Sequence, residues 1–525
     1  MEKYNKKICI ILLGIVLVSS TASAVKISKN TTTTESENPA VAFSKYNQLS
    51  SCNLEDDIDP LVDLEVTVTI REIRALDTID DLGKADFYVV LYVNDEKYKS
   101  KIWFNQDYVK EPWSQTVNVR DDEENVSIRI QLWDWEPGFN RICDISDNSG
   151  TLLGKYDIEL VYNLKIAHWM GDDFLYPDSS WGDLSGYGRA NGCDDNSIYQ
   201  EDRDCIILFD ITQNDYDGDN IPYWTEVNIY ETDPTIDDTG RDDDGDGVPI
   251  EWEFTWGTIL DYDYHSNSWR FIWIYDPFTW EDQKNMDSDG DGLDNVEEFL
   301  TSEWGSDPYR KDIFVELDQM EAGPQGEKAS ILPEMSKELL RDAFDRYNIY
   351  FHLDDGSMGG GEMIPFDLES PREELVSIYQ QYFLHGDQTN WRKSVFHYGL
   401  LVYDATYAGY VFGTNDGYQG AYQISSKRVD TPQHRSITPK GTAIAFASVY
   451  MHELGHTLDI RIPGGHDTDS YYPWQIGWWK WRPYKSCMNY GYTYILVDYS
   501  DGSRGKNDHD DWSTLDLPGF QRNVN

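Results

Sequence analysis

The chain has 525 residues, 40% of them hydrophobic, with 43 Lys and Arg against 95 Asp and Glu and a formal net charge of -52. That length exceeds a single hydrophobic core and predicts two to four domains, and the apolar content excludes a chain that stays unfolded throughout. The charge excludes nucleic acid as a partner, because phosphate binding needs clustered cations, and it excludes capture by anionic lipid through bulk attraction alone. An excess of carboxylates this large is either solvated or neutralised by bound cations, and the motifs below favour cations.

Residues 1–24 read as an export signal. Lys3, Lys6 and Lys7 precede an apolar run over residues 8–18, and Ala22-Ser23-Ala24 offers small residues for cleavage. No later segment has the 18 or so apolar residues of a membrane span, so a secreted or extracellular protein is expected, with a polar leader or linker over residues 25–60. Removing the signal takes Cys9 and leaves Cys52, Cys143, Cys193, Cys205 and Cys487. Export permits disulfides, and Cys193 with Cys205, close in sequence, is the expected pair.

Residues 61–165 alternate apolar and polar side chains, as in Leu64-Glu65-Val66-Thr67-Val68-Thr69-Ile70, and predict an all-β sandwich. Its carboxylates gather in loops: Asp80, Asp81 and Asp86 in one, Asp134, Glu136, Asp144 and Asp147 in another. Facing acidic loops supply the oxygens that hard cations require. The arrangement resembles a C2 domain, with Asp80 and Asp86 six apart before Phe87-Tyr88-Val89 and with Leu132-Trp133-Asp134-Trp135-Glu136 in the place of a calcium loop. The resemblance implies calcium ligation by Asp80, Asp86, Asp134 and Glu136, and calcium-dependent association with a surface. Residues 166–210 show little periodicity and read as an irregular connection.

A repeat follows over residues 211–310. Asp215, Asp217, Asp219 and Glu226 recur as Asp242, Asp244, Asp246 and Glu253, and again as Asp287, Asp289, Asp291 and Glu298. Each set holds positions 1, 3, 5 and 12 of a loop, the spacing that turns alternate side chains inward and closes a calcium sphere with a late Glu. The series resembles thrombospondin type 3 or dockerin-like repeats, which implies a calcium-stiffened brace.

From residue 311 the texture becomes mixed α/β. Strands are predicted over residues 313–317, 349–353 and 397–402, with helices over 327–347 and 373–383. A further segment, residues 418–425, is read as an edge strand able to pair with an extended peptide. Residues 443–458 are apolar at helical period and contain His452-Glu453-Leu454-Gly455-His456. Histidines at i and i+4 share one helix face and can reach a single zinc ion, with Glu453 beside the bound water as general base. Downstream stands Ser486-Cys487-Met488-Asn489-Tyr490. The helix followed by this Met-containing turn resembles the metzincin metallopeptidases over roughly residues 310–525. The resemblance implies that Met488 floors the metal and that Tyr490 ligates zinc or steadies an oxyanion. Asp459 and Ile462 depart from that family's pattern for the third ligand. His466, after Gly464-Gly465, is the candidate, with Asp467 and Asp469 as rivals.

These features predict a secreted zinc peptidase acting on proteins or peptides, with calcium-dependent accessory domains. The alternative is a calcium-dependent cell-surface or matrix binding protein whose peptidase-like domain is inactive.

Overall fold

The computed structural model describes residues 57–76, 79–80, 83–146, 155–173, 188–192, 203–263, 268–412, 420–431 and 438–523. The expected export signal, most of the leader, Cys52, Asp81, Asp147, and Cys193 with its expected bridge lie outside them.

Alternation builds the N-terminal sandwich. In β1 (Glu65–Ala75), Val66, Val68 and Ile70 are buried while Glu65 faces solvent. The period-2 alternation of side chains thus gives one core face and one wet face. Along the chain follow β2 (Phe87–Val93), β3 (Glu96–Lys99), β4 (Tyr108–Val109), β5 (Trp113–Asn118) and β6 (Asn125–Glu136). Next come β7 (Phe139–Ile142), β8 (Ile158–Asn163), β9 (His168–Gly171), β10 (Gly188–Asn191) and β11 (Cys205–Gln213). One sheet runs β10-β11-β1-β4, with β5 also on β1; the other runs β3-β2-β6-β8-β9, with β7 on β6. Their inner faces share a core that includes Val68, Val89, Ile130, Tyr162 and Phe209.

The irregular connection expected over residues 166–210 is therefore corrected. β9, β10 and most of β11 lie inside it, and β11 pairs with β1 from Val66↔Gln213 to Ala75↔Cys205. β9 and β10 are four residues each and carry His, Arg, Asn and Gly, so neither shows an alternation that sequence reading can detect.

Past the first acidic loop the chain forms α1 (Ile250–Gly257), the hairpin β12 (Thr258–Asp263) and β13 (Ser268–Trp273), and α2 (Asn295–Thr301). Asp294 caps α2 by accepting from Val296 N and Glu297 N, with Glu297 returning the bond as a capping box.

The C-terminal part is a sheet backed by helices. In chain order it has β14 (Asp312–Met320), α3 (Glu334–Asp345), β15 (Tyr350–Asp354), β16 (Met363–Ile364), α4 (Arg372–Ile378), β17 (Phe396–Val402), β18 (Gly409–Val411), β19 (Ala421–Ser425), α5 (Pro439–Thr457) and α6 (Ile476–Trp481). The strand order is β15-β14-β17-β19-β18, with β16 on β14; all pair parallel except β18, which runs antiparallel to β19. The helix expected from residue 327 begins at Glu334, because Pro333 sits extended at the helix start (φ -57°, ψ 141°). The expected edge strand is interior: Ala421–Ser425 is flanked by β17 and β18, so among the described strands β18 stands at the rim.

α5 is capped by Thr438, whose side chain accepts from Gly441 N, with Pro439 at its first turn. Its residues are buried on almost every side, from Ala443 to Thr457, because α3 packs on one flank and β18 and β19 on another. Two buried arginines clamp the sandwich onto α3. Arg74 reaches Asp345 and, at 3.4 Å, Asp342, while Arg189 reaches Asn348 and the Asp345 carbonyl.

Candidate functional site

The 3.6-residue period of α5 places His452 and His456 on one face, with ring centroids 4.9 Å apart. After Thr457 the chain reverses through Gly464 and Gly465, the latter at φ +87°, a conformation that glycine adopts without strain. The reversal stacks the His466 ring on that of His452 at 5.1 Å and brings the two Nε2 atoms to 3.1 Å. One ligand nitrogen from each of His452, His456 and His466 lies within 4.8 Å of the others. Two imidazoles on one tetrahedral ion with bonds of about 2.05 Å hold their nitrogens about 3.3 Å apart, so the triad fits a single metal.

Electrostatics agree with the geometry. Burial, followed by the neighbouring His456 and His466, holds His452 well below the ordinary histidine range. Burial and His466 push His456 down to about 4, and burial lowers His466. All three rings are thus neutral near pH 7, the form that ligates. His452 Nδ1 lies 2.8 Å from the Cys487 carbonyl; donating there leaves its Nε2 lone pair for the shared centre. Asp467 and Asp469 are engaged in their own turn. Asp467 accepts from Asp469 N and Ser470 Oγ, and Asp469 accepts from Gly477 N. Of the three candidates for the third position, His466 is the one that joins the pair.

Glu453 is 7% exposed, and burial raises its carboxyl to about 8. Its neighbour is Gly409 of β18: a Cβ built there would lie 2.0 Å from Glu453 Oε1. Below the helix, Met488 is fully buried, and a Cβ on Gly455 would meet its sulfur at 2.6 Å. The glycine of the motif is what lets the thioether close against α5. Tyr490 N donates to Gly465 O at 3.0 Å, tying this turn to the reversal that carries His466. The Tyr490 ring packs between His466 (4.2 Å) and Tyr471 (4.9 Å). Burial raises its hydroxyl to about 12, so it stays protonated as a donor.

The three acidic loops fold alike. Gly245 N and Gly247 N donate to Asp242, Asp246 N to Asp244, and Val248 N to Asp246. Gly290 N, Gly292 N, Asp291 N and Leu293 N repeat the pattern on Asp287, Asp289 and Asp291. In the first loop Gly218 N and Asn220 N donate to Asp215, and Ile221 N to Asp219. The late glutamates Glu226, Glu253 and Glu298 are all buried. Burial and the facing aspartates raise Glu226 to about 8, Glu253 to about 9, and Glu298 well above the carboxylate range. Asp217 Oδ1 and Oδ2, Glu226 Oε2, Asp244 Oδ2, Asp246 Oδ2 and Asp289 Oδ2 are buried without a hydrogen-bond partner. Orphaned anionic oxygens facing one another fit a hard cation. Asp238, which the spacing did not single out, joins Asp219 and Glu226 in a buried triad.

At one end of the sandwich Asp80, Asp134 and Glu136 converge, with oxygens within 4.8 Å of one another. Asp134 is fully buried and its Oδ2 has no hydrogen-bond partner. Asp86 N donates to Asp134 Oδ1, and the Asp86 carboxylate accepts from Asn105 N at 2.6 Å. Arg141 on β7, which sequence reading passed over, places its guanidinium on Glu136 and on Asp80 at 3.3 Å. A family model described as "C2 domain" matches residues 64–169.

Residues 64–169 form a C2 domain.

Solved structures similar to this part include "Structure of a C2 domain", at 12% identity, covering 29% of this chain and 98% of that one with a TM-score of 0.17. A C2 domain of plant Extended Synaptotagmin 1 is 13% identical, with 28% of this chain and 94% of that one covered and a TM-score of 0.18. Human GIVD cytosolic phospholipase A2 is 16% identical, with 29% of this chain but 16% of that chain covered and a TM-score of 0.17. No curated protein matches the chain. C2 domains typically bind calcium and mediate calcium-dependent association with membranes or proteins. Among the described residues no helix is long and apolar enough to cross a membrane.

Proposed function

We propose that the chain is an exported zinc peptidase, braced by calcium and carrying a C2 domain. The observation that carries this reading is the convergence of three neutral imidazoles, His452, His456 and His466, beside the buried carboxyl of Glu453. Zinc held there would lower the pKa of a bound water towards about 7 and polarise a scissile carbonyl.

Each residue then has a role that its surroundings favour. Burial raises the Glu453 carboxyl, and a cation held by the adjacent histidines would favour its ionised form; as a carboxylate it would take the water's proton and return it to the leaving amine. Tyr490, protonated and held by its backbone bond to Gly465, offers its hydroxyl to the oxygen on which negative charge develops. Met488 gives the centre an apolar floor. The strand β18 pairs with β19 and stands last in the order of the described strands, a place from which a sheet can hold a peptide substrate in extended form. The acidic loops, which resemble thrombospondin type 3 repeats, would bind calcium at Asp215, Asp242 and Asp287 and their partners.

The C2 domain favours a second reading, a calcium-dependent surface-binding protein with a silent peptidase-like domain. The deciding experiment is zinc content and cleavage of an unfolded protein in calcium, for wild type and Glu453→Gln. Zinc near one per chain, with cleavage lost but metal kept in the variant, supports the peptidase. Failure to bind zinc overturns it and leaves the binding protein.

A further inference from the structure

The segment carrying His466 is covered by a short helix whose inner and outer faces are both aromatic. On the inner face of α6, Trp481 fills the space beside Gly464, where a Cβ would stand 2.1 Å from its ring, and a Cβ on Gly491 would stand 3.0 Å from Trp478. On the outer face Ile476 and Trp479, three residues apart and so on one side of the helix, are 82% and 57% exposed. Trp474 is 78% exposed and stacks on the Tyr472 ring at 4.5 Å. Trp479 Nε1 donates to Pro473 O at 2.6 Å, fastening the turn to the helix so that these side chains form one surface. Apolar side chains exposed singly are ordinary; a contiguous set marks a contact surface.

Cations gather in the segment that carries this surface, while Asn507 Nδ2 donates to the Lys480 carbonyl and brings the run Asp508-His509-Asp510-Asp511 near the helix end. Residues 461–490 hold Arg461, Lys480, Arg482 and Lys485 against Asp467 and Asp469, four positive less two negative, within a chain of net charge -52. Lys480 lies over the Trp481 ring at 4.4 Å, and Arg482 over Trp478 and Trp479 at 5.5 and 5.4 Å. Projecting Trp and Ile, an amphipathic Tyr and flanking cations are the composition of a segment seated at a bilayer interface. The rings reach the acyl boundary and the cations meet phosphates. Side chains this exposed project from the surface rather than line a slot for a substrate side chain.

We propose that Tyr472, Trp474, Ile476 and Trp479 insert into the interface of a lipid bilayer, with Lys480 and Arg482 against its phosphate groups. This surface is separate from the C2 tip and does not depend on the peptidase reading. Asn489 Nδ2, beside the Met488 turn, donates to the Trp481 carbonyl at 2.9 Å, so a seated α6 would hold the histidine centre close to the membrane.

The test uses the full chain in calcium with vesicles of phosphatidylcholine containing about a quarter phosphatidylglycerol. Wild type is expected to sediment with the vesicles and to show Trp quenching by brominated acyl chains. Trp474→Ser/Ile476→Ser should weaken binding at least about tenfold, since each change removes a large apolar side chain from the interface. Both residues are exposed, so an unchanged melting temperature shows that the variant is folded. The comparison is repeated with Phe104→Ser/Phe139→Ser at the C2 tip, where those rings are 58% and 61% exposed, and the same loss is expected. Wild type that ignores vesicles overturns the proposal, as does a Trp474/Ile476 variant that binds them like wild type. A variant that keeps vesicle binding but raises KM for an unfolded protein also overturns it, and makes the surface a substrate wall.

Discussion

His466 Nε2 stands 3.1 Å from His452 Nε2 although fourteen residues separate them in the chain. The reversal at Gly464-Gly465 makes that approach possible, and the Tyr490 ring packed on His466 keeps it in place. A metal bound at this centre takes one nitrogen from outside the helix, and His466→Ala is expected to lower metal affinity by at least about a hundredfold, beyond the loss that outer-shell changes cause. Asp467→Asn and Asp469→Asn should leave affinity unchanged, because both carboxylates serve their own turn. Titration against a chromogenic chelator measures all three variants; retention of metal by His466→Ala would remove it from the ligand set.

The helix pair is legible in the sequence because a five-residue motif fixes its own geometry: i and i+4 meet on one face whatever surrounds them. His466 is legible only through the glycines, since local spacing does not say where a reversed chain lands; the rival Asp467 and Asp469 are set aside by turn bonds that need coordinates. The acidic loops are legible for the same reason as the helix, the carboxylates of each lying within twelve residues. Contacts made across the chain are not. Arg141 on Asp80, Gly409 on Glu453 and Asp238 beside Asp219 join residues with no shared pattern, and β9 and β10 are too short and polar to alternate. The rim strand escapes sequence reading because β18 has three residues, and strand order does not follow from propensity.

Gly409 bears directly on Glu453. A methyl group at Gly409 would stand 2.0 Å from the carboxylate oxygen and 2.4 Å from its carbon, so Gly409→Ala must turn Glu453 away. A displacement of about 1 Å at a reacting group can cost a hundredfold. The expected result is a fall in kcat of about ten- to a hundredfold, with KM little changed and metal content intact. Metal loss alongside activity would instead mean that the rim strand supports the histidines.

Arg141 places a positive charge among the C2 carboxylates. It contacts Glu136 and Asp80, both of which the C2 resemblance makes ligands. Calcium binding at this tip must compete with the guanidinium, and Arg141→Ala is expected to tighten it about tenfold or more, the effect of removing a close charge. Calorimetric titration of full chains carrying Asp242→Asn and Asp287→Asn, with and without Arg141→Ala, measures the change; unaltered affinity would show that the arginine lies outside the cation's reach.

The third acidic loop is joined to the C-terminal sheet rather than strung before it. Asp312 N, at the first residue of β14, donates to Asp291 Oδ2 at 2.6 Å, and Ser306 bridges Glu298 to Asp312. β14 lies between β15 and β17 and pairs with both, so the loop's cation would steady the strand on which the sheet is built. Without it, Asp289, Asp291, Glu298 and Asp312 repel one another in a buried space, which burial and mutual proximity express as raised pKa values for all four. Chelating calcium is expected to lower the melting temperature of the C-terminal part, and calcium at about a hundred times its dissociation constant should restore about 2.7 kcal/mol. Asp287→Asn, which weakens the loop without touching β14, should reproduce part of that loss in calcium. The check is a calcium series of melting curves paired with limited proteolysis across residues 287–320. Cleavage confined to the loop, with an unchanged melting transition for the sheet, would show that the brace and the sheet unfold independently.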